Sequence, residues 1–328
     1  MTASILVYIS SDPDNALGEN IIKLPFLRAL RTAFPGARIA WVPGLGPAKF
    51  AGPLAPLVEG QIDELICDLD LPRRWPAALG WRSPLPGRRF DLVIDTQHLP
   101  QRTLQLRRIA HRRFISPAWR FALSHGRPPG GAWPVRLVDR LLALVAAATG
   151  GPLPAPGHRA PLAPHWHARA AALLPPGATY VGLAPGAGRR DTGKCWPLER
   201  YLALAREQAA RGRTVVWLAG PDEREWADAL AAVPGSLLPA LDSPALTVAL
   251  AGRLAGAVAN CSGTGHMLAA GGAPLVSLFG PTDPAKYAPY AVAGTAIRGE
   301  GRRIDAITPE MVADALEKHL ARANPPHP

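Results

Sequence analysis

The sequence has few cysteines and no long apolar run. Its three cysteines, Cys67, Cys195 and Cys261, are odd in number and widely spaced, which excludes a disulfide framework and a CxxC metal motif and favours a reducing compartment. The N-terminal MTASILVYISSD lacks a basic leader and is too short for a signal peptide. The apolar run from Leu141 to Ala148 falls well short of the roughly 20 residues that span a bilayer. We therefore expect a soluble, cytoplasmic protein.

Acidic residues are also scarce. The chain has 25 Asp and Glu against 36 Lys and Arg, which gives a net charge of +11 and a pI near 10.3. Such a balance favours an acidic partner: a phosphorylated small molecule, an anionic membrane surface or nucleic acid. Nucleic acid is disfavoured because aromatic residues are not interleaved with the basic ones and no nucleic-acid-binding module is recognisable. A coding bias, visible in 37 Pro and 32 Gly, explains the charge equally well.

The chain alternates short apolar strands with helical or irregular segments. At 328 residues and 48% apolar content it is long enough for two domains. No GxGxxG follows the first strand, which excludes a dinucleotide site of the usual type. Proline-rich sequence from Thr149 to Pro176 predicts the domain boundary. The pattern predicts parallel sheets wound with helices, with strands at 4–10, 37–42, 63–67, 91–95, 179–185 and 214–220 and a terminal helix at 307–320.

A glycine-rich turn lies between a strand and a helix at Asn260 to His266, with the sequence NCSGTGH. Gly263 and Gly265 flank Thr264, so that free N–H groups and the positive helix end point at one spot. That spot suits a diphosphate. From the turn alone, an ordinary strand-to-helix connection is an equal alternative.

Two further features carry candidate chemistry. Glu19 is predicted at a helix N-terminus directly after the first strand, where ligands bind in open α/β sheets; a favourable first-turn charge is its structural alternative. The segment 101–127 has no acidic residue, so it favours contact with a carboxylate or phosphate, with a solvated basic face as the alternative. Its arginines are Arg102, Arg107, Arg108, Arg112, Arg113, Arg120 and Arg127.

Four separated motifs together resemble glycosyltransferase family 9, the heptosyltransferases of lipopolysaccharide core synthesis. They are LGENIIKLP from Leu17 to Pro25, PGA at Pro185 leading to KCWPLERY at Lys194, GPDE at Gly220, and SGTGHMLAAGGAP at Ser262 leading to LFGPT at Leu278. The resemblance covers nearly the whole chain.

The resemblance implies an α/β protein of the GT-B fold: two Rossmann-like domains whose parallel sheets face each other across a cleft. Residues 1–155 would bind the acceptor and residues 156–306 the nucleotide sugar. A C-terminal helix at 307–321 would pack back on the first domain.

The activity implied is an inverting, metal-independent transfer of heptose, without a cofactor, from a nucleotide sugar, ADP-heptose, to an acidic lipopolysaccharide-core acceptor. The glycolipid acceptor would bring the protein to the cytoplasmic face of the inner membrane. Two alternatives stay open: a catalytically drifted nucleotide-sugar-binding scaffold, and a heptosyltransferase that acts on a protein.

The resemblance also assigns roles to residues. Glu19 is the expected base, where the family usually has Asp, and Lys194 the expected diphosphate-binding residue. Cys261 also departs from the family, which typically has Asp there; a thiol offers only weak hydrogen bonds. The donor site would comprise Gly186, Lys194, Glu223, Cys261, Ser262, Gly263, Thr264, Gly265 and His266, and the acceptor site Asn20, Arg102, Arg107, Arg112 and Arg120, with no metal ligand.

Overall fold

The computed structural model describes residues 3–11, 17–44, 48–67, 69, 71, 82–188 and 192–323. The chain divides into two compact units. Unit 1 comprises residues 1–16 and 23–157, and unit 2 comprises residues 17–22 and 158–328. The division lies two residues beyond the predicted boundary, and the short segment 17–22 joins unit 2 rather than unit 1.

Unit 1 contains a five-stranded parallel sheet. Residues Ile5 to Ile9 of its central strand are buried without interruption, which is typical of a parallel sheet covered on both faces. The strands occur in the order β3-β2-β1-β4-β5. They are β1 (Ser4–Ser11), β2 (Arg38–Gly44), β3 (Glu64–Leu65), β4 (Arg89–Asp95) and β5 (Ala110–Ile115).

The helix predicted after Glu19 is divided in two, α1 (Leu17–Ile21) and α2 (Leu24–Ala33). Pro25 causes the break, because proline lacks an N–H and is tolerated only in a first turn, where α2 places it. Phe26, an apolar residue of α2, is fully buried. The break leaves α1 free to join unit 2.

Two other helices complete unit 1: α3 (Pro100–Leu106) and α4 (Leu137–Thr149). The sequence AHRRFI of β5 was not predicted as a strand, because three consecutive basic residues interrupt its apolar pattern. Charged side chains are common on such an edge strand, where they discourage pairing with other chains.

Unit 2 contains a second five-stranded parallel sheet in the order β10-β9-β8-β6-β7. The strands β6, β7 and β8 coincide with predicted strands, whereas β10, with little apolar sequence, was not predicted. The strands are β6 (Tyr180–Ala184), β7 (Thr214–Trp217), β8 (Gly256–Asn260), β9 (Leu275–Phe279) and β10 (Gly294–Arg298).

Helices surround this second sheet. They are α5 (Pro164–Leu173), α6 (Leu198–Ala210), α7 (Ala227–Ala231), α8 (Pro244–Ala251), α9 (Gly263–Gly271), α10 (Pro284–Tyr287) and α11 (Pro309–Ala323). The C-terminal helix α11 belongs to unit 2, and its packing on the first domain stays a prediction. Its apolar residues Val312, Leu316 and Leu320 are buried in the core of unit 2, where α11 contacts α6, β8 and β9.

Candidate functional site

The candidate donor site lies at the carboxyl ends of β6 and β8. These two strands are neighbours, but the chain runs from β6 to β7 on one side before it crosses to β8 on the other. Ligands bind at such a switch point of an open α/β sheet. Gly186 follows β6 and Cys261 follows β8, so the fold brings two of the predicted donor motifs to one edge.

The buried side-chain amide of Asn260 connects the segments at this edge by hydrogen bonds. Its Nδ2 donates to Pro185 O at 2.7 Å. Its Oδ1 accepts from the Trp196 N–H at 3.1 Å and from the Tyr201 hydroxyl at 3.2 Å. At 1% exposure, Asn260 positions both the turn at Gly186 and the loop that carries Lys194. Asn260 was not among the predicted site residues, although a polar residue at the end of the buried strand GAVAN indicates a structural or binding role.

The N-terminus of α9 presents backbone donors. Ser262, in extended conformation, caps the helix by accepting from the Gly265 N–H at 3.3 Å. Within the described part of the chain, the N–H groups of Gly263 and Thr264 have no acceptor. Gly265 is buried and His266 is half-buried on the same first turn. Such groups, together with the positive end of the helix dipole, are typical of anion sites, and a diphosphate contact here stays a prediction.

Helix α1 packs on this turn, within unit 2. The approach is close, because a Cβ on Gly18 would lie 2.8 Å from Gly263 Cα, and a Cβ on Gly263 would lie 3.2 Å from Gly18 N. Neither glycine can be replaced without moving a backbone. Glu19, the next residue, is exposed. The predicted base and the predicted phosphate turn therefore belong to one unit.

Lys194 lies near Cys261. Burial raises the pKa of the Cys261 thiol, and the Thr282 hydroxyl and the Lys194 ammonium oppose this rise only in part. The thiol is therefore neutral at pH 7. The Thr282 contact falls short of hydrogen-bond geometry, since the buried Thr282 Oγ1 has no partner among the described residues. Nor does Lys194 form an ion pair or hydrogen bond with any of them.

Glu223 closes the turn after β7. Its Oε2 accepts from the Gly220 N–H at 2.7 Å. Its Oε1 would lie 2.1 Å from a Cβ on Gly186, so a larger residue at position 186 would require the Glu223 side chain to move. The structure thus brings Glu223 against Gly186 at the carboxyl ends of β6 and β7, while its contact with a ribose stays a prediction.

The four arginines predicted for the acceptor are dispersed over unit 1. Arg102 is only 4% exposed and lies near Asp95. Arg107 donates from Nη1 to Leu123 O and lies over the Phe114 ring. Arg112 is exposed on β5, and Arg120 is exposed in a separate turn. Arg102 lies on a buried helix face, Arg112 on a strand and Arg120 in a turn, so these side chains share no structural element. Their contact with the acceptor stays a prediction. Asn20 is 4% exposed on α1.

A buried carboxyl, Asp95, ends β4. Its Oδ2 accepts from Thr103 Oγ1 at 2.5 Å and from Ser116 Oγ at 2.8 Å, and its Oδ1 accepts from the Gln97 N–H at 2.9 Å. Burial raises the pKa of Asp95 to about 6, against the lowering effect of these donors and of Arg102. Asp95 was not among the predicted site residues, although an acidic residue at the end of the apolar strand DLVID indicates a special role.

Two features are absent from the described ranges. No three His, Cys, Asp or Glu side chains there are grouped as a metal-ligand set. No helix in that part of the chain is both long enough and apolar enough to span a membrane.

Comparison with known proteins identifies the family. The sequence model described as "Glycosyltransferase family 9 (heptosyltransferase)" matches residues 81–308, well over half of the chain. The chain belongs to glycosyltransferase family 9. It is therefore an enzyme of the glycosyltransferase class, as the motifs predicted.

Curated relatives of this family 9 enzyme carry one name. Lipopolysaccharide heptosyltransferase 1 of Pseudomonas aeruginosa is 32% identical over 295 residues, which cover 82% of this chain and 78% of that protein. The protein of the same name from Escherichia coli O18:K1:H7 is 26% identical over 328 residues, with 94% and 97% covered.

Solved structures confirm the fold. E. coli heptosyltransferase WaaC with ADP-2-deoxy-2-fluoro heptose has a TM-score of 0.68 at 23% identity, covering 96% of this chain and 99% of that one. The family 9 glycosyltransferase from Veillonella parvula has a TM-score of 0.69 at 21% identity, with 98% and 97% covered. The predicted α/β, GT-B fold class is thus confirmed.

Proposed function

We propose that this family 9 glycosyltransferase transfers heptose from ADP-heptose to an acidic acceptor of the lipopolysaccharide-core type. The observation that carries the proposal is the cluster at the switch point of the second sheet, where Lys194 and the N-terminus of α9 lie beside Cys261. The names of the curated relatives support both the sugar and the acceptor.

Glu19 acts as the general base in this proposal. The acceptor hydroxyl oxygen attacks the anomeric carbon while its proton passes to the Glu19 carboxylate. The bond between that carbon and the diphosphate oxygen breaks, and the electron pair leaves with ADP. One displacement inverts the anomeric centre. The packing of Gly18 on Gly263 supports this role because it holds Glu19 in the unit that carries the proposed diphosphate site.

The departing diphosphate is stabilised by Lys194 and by the N–H groups of Gly263 and Thr264. Fixed donors of this kind stabilise charge as it develops, without reorganisation. We propose that they replace a metal ion, and that Glu223 accepts from the ribose hydroxyls. Transfer should accordingly withstand EDTA. A rate that EDTA abolishes and Mg²⁺ restores would contradict the metal-independent part.

The test is transfer of heptose from ADP-heptose to a de-acylated lipopolysaccharide core bearing carboxylate sugars, with ADP binding measured in parallel by calorimetry. Wild-type protein should bind ADP and transfer heptose. Glu19→Ala should bind ADP as wild type does and transfer far more slowly. Wild-type turnover by Glu19→Ala would remove the base assignment.

One observation favours a second candidate, a nucleotide-sugar-binding scaffold without turnover. Cys261 offers a neutral thiol where related sequences typically carry a carboxylate. Cys261→Asp separates the two functions. Binding of ADP-heptose without turnover in the wild type, together with turnover gained by Cys261→Asp, would favour the scaffold.

We also propose that the enzyme works in the cytoplasm, against the inner membrane surface. Its net charge of +11 supports attraction to anionic lipids. Sedimentation with anionic but not zwitterionic vesicles would test this placement.

A further inference from the structure

A cavity of about 720 Å³ lies within unit 1, in the size range of small-molecule sites. It opens beyond the carboxyl ends of β4 and β5, the sheet edge at which α/β proteins bind ligands. We call it the aromatic pocket and define it by His98, Trp119, Arg120, Phe121, Arg127 and Trp133. Of these, only Arg120 was among the predicted site residues.

Three aromatic rings form its wall. Phe121 and Trp133 meet edge to face with ring centroids 5.3 Å apart, and His98 contacts Trp133 in the same way at 5.6 Å. Trp119 is 49% exposed, which is unusual for so large an apolar side chain. The Trp133 indole N–H is buried and has no acceptor in the described part of the chain.

The turn that supplies three of these residues is strained. Trp119, Arg120 and Phe121 have φ of 47°, 53° and 66°, the left-handed region that non-glycine residues rarely adopt. Each such residue costs on the order of 1 kcal/mol, and such strain tends to persist at ligand sites. In this backbone conformation Trp119 and Arg120 both line the pocket.

The pocket is cationic. Arg120 and Arg127 are exposed, and neither has an ion pair with a described residue. His98 adds no charge at pH 7, because burial and the nearby Arg140 lower its pKa. Two guanidinium groups without a carboxylate partner match a ligand carboxylate or phosphate.

We propose that the aromatic pocket holds an anionic sugar of the acceptor, with the C–H face of the pyranose on an indole ring and its carboxylate or phosphate on Arg120 and Arg127. The negative face of an aromatic ring attracts the weakly positive C–H groups of a sugar. This inference rests on the proposed function and assigns the charged part of its acceptor to specific residues.

The test uses full-length protein and an NMR titration without donor, with galacturonate as the anionic probe and galactose as its neutral match. Wild type should bind galacturonate at least about tenfold more tightly, the effect expected of one charge-assisted hydrogen bond. The double variant Arg120→Gln, Arg127→Gln should lose this preference. Trp119→Ala should weaken both sugars alike.

Arg89→Gln is the matched control, because Arg89 is an exposed arginine of the same unit at the opposite, amino end of β4. It should keep the wild-type preference. Equal binding of the two sugars by wild type, or a preference that survives in the double variant, would overturn the proposal. So would a Trp119→Ala protein that binds galacturonate as tightly as wild type does.

ADP binding, measured on the same samples, separates this inference from the proposed function. Wild type that binds ADP but shows no preference for galacturonate overturns the pocket assignment alone. Wild type that prefers galacturonate but does not bind ADP supports the pocket and counts against the proposed transfer.

Discussion

The carboxyl edges of the two sheets use different chemistry. In unit 2, the edge presents backbone N–H groups and one lysine, and its buried polar centre is the neutral amide of Asn260. In unit 1, the edge buries the carboxyl of Asp95 and presents side chains, among them Trp119 and Arg120. Fixed dipoles suit the diphosphate of a nucleoside-diphosphate sugar, whereas side chains suit an acceptor that varies. The two edges should therefore respond differently to substitution and to pH.

The largest effect is expected at Lys194. Lys194→Ala should lower the transfer rate roughly 100- to 1,000-fold, the usual cost of one donor to developing charge. The exposed lysine Lys318 on α11 offers a control, and Lys318→Ala should behave as wild type. Steady-state rates of ADP release measure both. An unchanged rate in Lys194→Ala would mean that the donor edge does not depend on this charge.

Asn260 is expected to affect stability most. Asn260→Ala leaves Pro185 O and the Trp196 N–H buried without their partner, which should cost about 3 kcal/mol of unfolding free energy. Chemical denaturation measures the loss. A change below about 0.5 kcal/mol, the range of ordinary surface substitutions, would show that the amide does not fasten this edge.

Asp95 should make unit 1 sensitive to pH. Because the pKa of Asp95 in the folded state, about 6, exceeds the ordinary aspartate value of 3.8, the folded state binds the proton more tightly. Stability should fall as pH rises from about 4 to about 6, by up to about 3 kcal/mol.

Asp95→Asn removes the titratable carboxyl and keeps an amide that can form hydrogen bonds with Thr103 and Ser116. Thermal midpoints of wild type and variant, measured from pH 4 to pH 7, show the effect of Asp95. The difference between the two midpoints should change with pH. A difference that does not change with pH would contradict the assignment.

Gly18 should affect catalysis more than donor binding. In Gly18→Ala the new methyl displaces α1 from Gly263, and a misplacement of ~1 Å can cost ~100-fold in rate. We expect kcat to fall roughly 10- to 100-fold with the KM for ADP-heptose nearly unchanged. Gly36→Ala is the control, since a Cβ there meets no atom within 4 Å. A rise in the KM for ADP-heptose without a fall in kcat would indicate instead that the close contact serves donor binding.

The smallest effect is expected at Arg112. Because this side chain projects from β5 outside the aromatic pocket, Arg112→Gln should change the acceptor KM less than about twofold, within the range of exposed ion contacts. A tenfold rise would contradict this expectation and support the contact of Arg112 with the acceptor that the sequence predicted.

Some parts of this protein were predictable because their physics is local. The apolar sequence alone predicted the strands β1 and β8. The glycines around Thr264 likewise predicted a helix N-terminus. Pro25 could have predicted the break between α1 and α2, since its effect depends only on its neighbours. The motifs then supplied the family.

Other parts depend on contacts that sequence separation hides. The packing of Gly18 on Gly263 joins residues far apart in the chain, so neither glycine signals it alone. The arginines between 101 and 127 are adjacent in sequence but lie on a helix, a strand and a turn, which point them in different directions. For the same reason the clustering of Trp119 with Trp133 became visible only in the fold.

The most direct test of the central claim is a crystal structure of the protein with ADP. The diphosphate should accept hydrogen bonds from the N–H groups of Gly263 and Thr264, with the Lys194 ammonium in contact and a ribose hydroxyl on Glu223. A diphosphate bound elsewhere, out of reach of both Lys194 and α9, would contradict the account.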